Sequence, residues 1–260
     1  MAYFFSNIKN SFDFFLRNRI IFSRKNYYEK AQNVSDIFVD DEEENFYNRL
    51  KDKYGDGLEK DLNKRNFLEN IYFLNIFDKY ISLNKSDNIT VLDIGSKNWS
   101  YVKSEYMYFK SKYENFVLNG IELDAYRLNS NFYTRYEIAK FYTKGLNNTN
   151  YIAGDFMAHE QKYDCIIWIL PFVTQYPLIK WGLPLKYFQP ENMLLHAFNL
   201  LKEGGEMLII NQGEKEYEIQ QKLIKNLPQI DAQEYILFGE IQDKFKLFQN
   251  LRFCSKIIKH

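Results

Sequence analysis

The segments Val91-Leu92-Asp93-Ile94-Gly95 and Gly120-Ile121-Glu122-Leu123-Asp124 constrain the fold of this chain more than any others. Each is a short apolar run that closes on a carboxylate, and the first leads into a glycine and a polar turn. In an α/β sheet such ends lie at the carboxyl edge of parallel strands, where ligands bind. From residue 89 onward, runs of this kind alternate with helical periods. Strands are expected over 91–95, 116–123, 151–154, 163–170 and 206–211, and helices over 99–112, 125–143, 190–201 and 215–227. Residues 235–238 and 252–258 are two further strand candidates. The alternation implies an α/β fold: a doubly wound, mostly parallel, seven-stranded sheet with helices on both faces.

Residues 1–88 carry helical periods and no alternating strand, so the expected division is a helical cap or extension over 1–88 and the sheet domain over 89–260. Phe4, Ile8, Phe12 and Phe15 recur at helical spacing, with Lys9, Arg17, Arg19, Arg24 and Lys25 nearby. A stripe of this kind is expected to pack on its own domain; lying on a membrane surface is the rival reading. The acidic run Asp40-Asp41-Glu42-Glu43-Glu44 marks a helix start, and Tyr54-Gly55-Asp56-Gly57 a turn.

The formal net charge is +0, from 34 basic and 34 acidic residues, so no global attraction to nucleic acid exists. Cys165 and Cys254 sit in apolar strand-like runs without a CxxC partner, which reads as buried small hydrophobes in a reducing cytoplasm. His159, His196 and His260 show no metal-ligand spacing, so no metal is expected. Asn7, Lys9, Asn10, Asp13, Arg17 and Asn18 interrupt every apolar run at the N-terminus, leaving neither a signal peptide nor a spanning segment. A cytoplasmic location is the expectation.

Taken in order, these residues resemble the class I S-adenosylmethionine-dependent methyltransferases, over roughly residue 89 to the C-terminus. Val91-Leu92-Asp93-Ile94-Gly95 is similar to the motif whose glycine turn receives the methionine end of the cofactor, which implies cofactor contacts for Asp93, Gly95, Ser96 and Lys97. Glu122 resembles the acid that binds the ribose hydroxyls. Asp155 resembles the acid that contacts the adenine amino group, with Phe156 flanking the ring. Tyr163-Asp164-Cys165-Ile166-Ile167, followed by Trp168-Ile169-Leu170-Pro171-Phe172, resembles the fourth strand and the motif that faces the substrate. Leu200-Leu201-Lys202-Glu203-Gly204-Gly205 is similar to the family's approach to its fifth strand. In the family an antiparallel hairpin then closes the sheet.

The chain departs from that pattern at Lys97 and Trp99, where the family has further glycines. Glycine allows positive φ and close backbone approach, and Asn98 is the residue expected to take the left-handed conformation instead. Leu170-Pro171-Phe172 lacks the amide or carboxylate that methyltransferases of base amino groups carry, which argues against that chemistry. The substrate pocket is expected at Leu170, Pro171, Phe172 and Gln212, with an aromatic insertion over 174–189 as its wall. No catalytic base is assigned, because methyl transfer needs one only if the acceptor must lose a proton. The reading is a methyltransferase whose acceptor is a small molecule or protein rather than nucleic acid. Its alternative is a methyltransferase-like binding module without catalysis. A nicotinamide enzyme is excluded, since Gly95-Ser96-Lys97-Asn98-Trp99-Ser100 is not G-x-G-x-x-G.

Overall fold

The computed structural model describes residues 3–21, 27–29, 37–58, 60, 62–83, 87–227, 230 and 235–260. Helices α1 (Phe4–Arg19), α2 (Asp41–Tyr54) and α3 (Lys64–Tyr80) precede the sheet. Asp40 caps α2 by accepting from the Glu43 amide at 2.9 Å, and the acidic run fills the first turn, where carboxylates meet the positive end of the helix dipole. Gly55 follows Tyr54 at φ +86°, a conformation that costs glycine little, and the helix stops there.

The alternating part runs β1 (Ile89–Ile94), α4 (Val102–Lys112), β2 (Phe116–Glu122), α5 (Arg135–Tyr142), β3 (Thr149–Ala153), β4 (Tyr163–Ile169), α6 (Gln175–Lys180), α7 (Pro190–Leu200), β5 (Leu201–Gln212), α8 (Gly213–Asn226), β6 (Tyr235–Ile241) and β7 (Arg252–Ile258). One 7-stranded sheet results, in the order β3-β2-β1-β4-β5-β7-β6. The pairs from β3 to β5 are parallel, and β7 runs antiparallel to both β5 and β6. Period-two alternation divides the strands between two cores. Val91, Cys165, Ile167, Leu208 and Ile210 face α3, α4 and α5, while Leu92, Ile166, Trp168, Met207 and Ile209 face α7 and α8. Each such fully buried aliphatic side chain contributes about 1.5–3 kcal/mol.

α2 and α3 share the first of these cores. Phe67, Ile71 and Phe77 of α3 are fully buried in the same cluster as Val91. Asn70, also fully buried, ties α3 to the start of α4: it donates to the Ser100 carbonyl at 2.7 Å and accepts from the Ser104 amide at 3.0 Å. Tyr101, at the N-cap of α4, offers no side-chain cap, so α3 supplies one from outside.

Elsewhere the structure corrects the sequence-based boundaries. The helix expected over 125–143 exists only as α5, and Leu128 pairs with Thr134 in an isolated bridge before it. Thr134 and Glu137 form a capping box that starts the helix there, and Leu128 and Phe132 before it are exposed. The helix expected over 190–201 is α7, which stops at Leu200, ahead of Gly204-Gly205. β5 passes through the pair with a register shift against β4, and a Cβ on Gly205 would lie 2.8 Å from the Lys202 carbonyl. The stripe of α1 is also reversed: Phe4, Ile8, Phe12 and Phe15 are exposed, and the opposite face packs on the body. Arg24 and Lys25, read as part of that basic stretch, lie outside the described residues.

Trp99 is fully buried against the backbone of β2, so that a Cβ on Gly120 would lie 2.8 Å from its indole. Overpacking of this kind typically costs about 1–3 kcal/mol. Gly120→Ala is expected to lower stability by about that amount in urea denaturation. Gly154→Ala, whose new Cβ would meet nothing nearer than 3.8 Å, is expected to change it by less than about 0.5 kcal/mol. Equal effects of the two substitutions would remove the packing account of Gly120.

Candidate functional site

The carboxyl ends of β1 to β4 meet around one cavity of about 110 Å³. Gly95 and Lys97 line it from the turn after β1, and Glu122 from the end of β2. Asp155 and Phe156 come from the turn after β3, and Leu170, Pro171 and Phe172 from the segment after β4. Trp181, Leu183 and Tyr187, from the strap between β4 and α7, close the cavity above the sheet edge. Gln212 lines a smaller adjoining cavity with Glu216, and Lys97, Leu170 and Trp181 form the partition between the two.

Asp93 and Ser96 lie behind the wall and line neither cavity. Alternation along β1 puts Asp93 on the same face as Val91, toward α4, where it accepts from the Tyr101 hydroxyl at 2.8 Å. It is fully buried, and among the described residues one of its oxygens has no partner, nor does the buried Ser96 hydroxyl. Burial, reinforced by the nearby Glu122 charge, pushes the Asp93 carboxyl up to about 7, against the hydrogen bond from Tyr101. Glu105 beside it is also pushed up, first by burial and then by Asp93, and accepts from the Trp99 indole at 2.8 Å.

The glycine-poor turn keeps its left-handed geometry without glycine. Gly95 stands at φ +73°, and the residues that follow its lead are Lys97 at φ 55° and Trp99 at φ 50°, not Asn98. A left-handed residue with a Cβ costs roughly 1–2 kcal/mol. Two tertiary contacts oppose that cost: the Lys97 amide donates to Glu122 at 2.9 Å, and the Trp99 ring is seated on Gly120.

Glu122 is the most connected group of the site. Besides the Lys97 amide it accepts from the Asp124 amide at 2.8 Å and from the Arg135 guanidinium at 2.8 Å. Arg135 and Glu122 are both buried, so each satisfies a charge that would be costly alone. Asp124, two residues on, accepts both nitrogens of a bidentate Arg17 from α1, at 2.5 and 2.9 Å. Arg135 and Lys97 both approach the Trp181 ring, at 5.3 and 4.7 Å from its centroid. Burial and the neighbouring Arg135 lower the Lys97 pKa, against the pull of Glu69 and Glu122. Asp155 is exposed and uses one oxygen to accept from the Met157 amide at 2.9 Å, whereas Phe156 is buried.

Sequence reasoning missed Arg135, Asp124 and Arg17. The Thr-x-x-Glu pattern at Thr134–Glu137 was the available signal for Arg135, since it places that residue at the head of α5 beside the sheet edge. Nothing local to the sequence announces the pairing of Arg17 with Asp124, which are 107 residues apart.

No family model matches the sequence, and no curated protein matches it. Among solved structures it is similar to an S-adenosylmethionine-dependent methyltransferase from Aquifex aeolicus, at 13% identity and TM-score 0.49, covering 74% of this chain and 92% of that one. It is also similar to the magnesium protoporphyrin IX methyltransferase of Synechocystis PCC 6803, at 12% identity and TM-score 0.46, covering 88% and 100%. Trm5b from Pyrococcus abyssi is a third, at 14% identity and TM-score 0.47, covering 76% and 50%. Likeness this remote says nothing of what the chain acts on. Its own sheet order, closed by the antiparallel β6–β7 hairpin, is the fold that the resemblance to class I methyltransferases implied.

Because the folded chain favours protonated Asp93, its stabilising contribution is complete below the ordinary carboxylate pKa and is lost as pH rises through about 7. Stability is therefore expected to fall between about pH 4 and pH 7, by an amount on the order of a few kcal/mol. Denaturation of Asp93→Asn across that range should show a flatter profile; an unchanged slope would assign the loss to other groups.

Proposed function

We propose that this protein is an S-adenosylmethionine-dependent methyltransferase. One observation carries the reading: the Gly95 turn, the Glu122 carboxylate and the Asp155–Phe156 turn, from three different strands, converge on a single cavity at the carboxyl edge. The residues present fit the cofactor. A carboxylate offers about four acceptor sites, and Glu122 uses three of them on Lys97, Asp124 and Arg135, so it can still accept from a ribose hydroxyl. Asp155 keeps one oxygen for the adenine amino group, and the buried Phe156 gives that ring an apolar face. Lys97 and Arg135 supply cations in the same wall for the carboxylate at the methionine end.

Once bound, S-adenosylmethionine supplies an electrophilic methyl group on a sulfonium. What the chain contributes is alignment and exclusion of water. Leu170, Pro171, Phe172 and Trp181 give the acceptor side an apolar wall, and Gln212 and Glu216 are its polar groups in the adjoining cavity. Burial raises the Glu216 pKa, which suits it to hold a proton taken from an acceptor. The acceptor class we favour is a small molecule or protein side chain, given the balanced charge of the chain. Of residues 1–88, α1 is the part we assign as a cover, since it holds the strap, whereas α3 belongs to the core.

A second reading, a binding module without catalysis, draws on Trp181, which sits against both Lys97 and Arg135 and narrows the cavity. Turnover of any acceptor would eliminate it.

Calorimetric titration with S-adenosylhomocysteine tests the proposal. The wild-type protein is expected to bind in the micromolar range. Asp155→Asn, at an exposed position and still able to accept from the Met157 amide, should weaken binding by roughly tenfold, about 1.4 kcal/mol, without lowering the melting temperature. No heat with folded wild-type protein would overturn the cofactor assignment.

A further inference from the structure

Helix α1 is inverted relative to an ordinary surface helix, which turns its apolar face inward. Its polar side chains, together with Phe14 packed against Tyr187, make the attachment. Asn10, 8% exposed, donates to the Ile179 and Leu183 carbonyls at 2.9 and 3.1 Å, and Asn7 accepts from the Leu185 amide at 2.7 Å. Arg17 donates to the Gly182 carbonyl at 2.8 Å besides pairing with Asp124. The outward face is Phe4, Phe5, Ile8, Phe12 and Phe15, between 52% and 82% exposed. At 3.6 residues per turn these side chains fall within an arc of roughly 100°. Ile20 and Ile21 extend the stripe beyond the helix end, and Tyr176 of the strap is exposed as well. Contiguous apolar surface of this kind on a folded chain marks an interaction site.

The chemistry of the border identifies the partner. Lys9 and Lys180 share a groove with Tyr176 along one edge of the helix, where they outnumber the one carboxylate, Asp13, and Arg19 and Lys186 share a groove with Phe15 along the other. Among the described residues none of these cations enters an ion pair. A Phe-rich stripe between cationic edges is complementary to an anionic lipid surface, where aromatic rings enter the acyl boundary and lysine and arginine meet the headgroups. A second copy of the chain is a poorer occupant, because two-fold pairing of the stripe would set the same cationic border against itself. No described helix is long and apolar enough to cross a membrane, so the association is peripheral.

We propose that α1 lays its Phe4–Phe15 face on an anionic membrane surface while its polar face stays bound to the strap. Docked in this way, α1 brings the strap, and with it Trp181, to the lipid interface. The proposal is independent of the cofactor assignment.

Flotation of the purified full chain with vesicles tests it. Vesicles of phosphatidylcholine containing phosphatidylglycerol should carry the protein upward, and vesicles of phosphatidylcholine alone should carry several-fold less. High salt should weaken the binding. The double variant Phe12→Ser/Phe15→Ser, altered only at exposed positions, should lose roughly tenfold or more of the binding while keeping the melting temperature of the wild type. Lys180→Glu/Lys186→Glu should lose binding to the anionic vesicles selectively. Absence of flotation with either vesicle would overturn the proposal, as would equal flotation of wild type and the phenylalanine variant. So would a dimer in analytical ultracentrifugation that the phenylalanine substitutions dissolve while vesicles are ignored.

Discussion

Everything at the carboxyl edge depends on one buried carboxylate. Glu122 ends β2 in an environment where an unpaired charge would be expensive, and it is stabilised by donors from three directions. The Lys97 amide holds the turn after β1 in place, Arg135 holds the head of α5, and the Asp124 amide folds the chain back on itself. Asp124 in turn anchors Arg17 and through it α1. Removing the carboxylate would therefore take a partner from the turn, from the head of α5 and from the Asp124 amide together. This makes the acid the keystone of the wall around the cavity.

The turn after β1 holds a left-handed backbone path at two residues that are not glycine. Lys97 and Trp99 occupy left-handed conformations that glycine would take at little cost. The strain persists because the surroundings over-determine it. Trp99 fills the space beside Gly120 and donates to Glu105, and Lys97 is fixed at its amide by Glu122 and at its carbonyl by the Tyr151 hydroxyl. Bulk taken on at the turn is matched by the absence of a side chain on the neighbouring strand.

The strap and α1 form a second layer over this edge. Its own apolar cluster of Leu178, Ile179 and Leu183 is small, so hydrogen bonds from Asn7, Asn10 and Arg17 carry much of the attachment. Spending polar groups inward leaves the phenylalanines outward, which is why a helix that looks like an ordinary core-facing one in sequence presents its apolar stripe to the exterior.

The sequence by itself determined the sheet. The short apolar run Tyr163 to Ile169, alternating with helical periods on either side, reads as a central strand covered on both faces, and it is buried along its whole length. Acids and glycines at the ends of such runs put Gly95, Glu122, Asp155 and Leu170 to Phe172 at one edge, because strand direction is fixed by the alternation with helices. Only the tertiary structure decided the rest. Packing against Tyr101 holds Asp93 behind the wall instead of in the cavity. The partners Arg17–Asp124 and Arg135–Glu122 are chosen by proximity in the folded chain, as is the face that α1 buries. Hydrophobic periodicity records which side chains share a helix face, but it carries no information about whether the opposite face finds hydrogen-bonding partners strong enough to claim the contact.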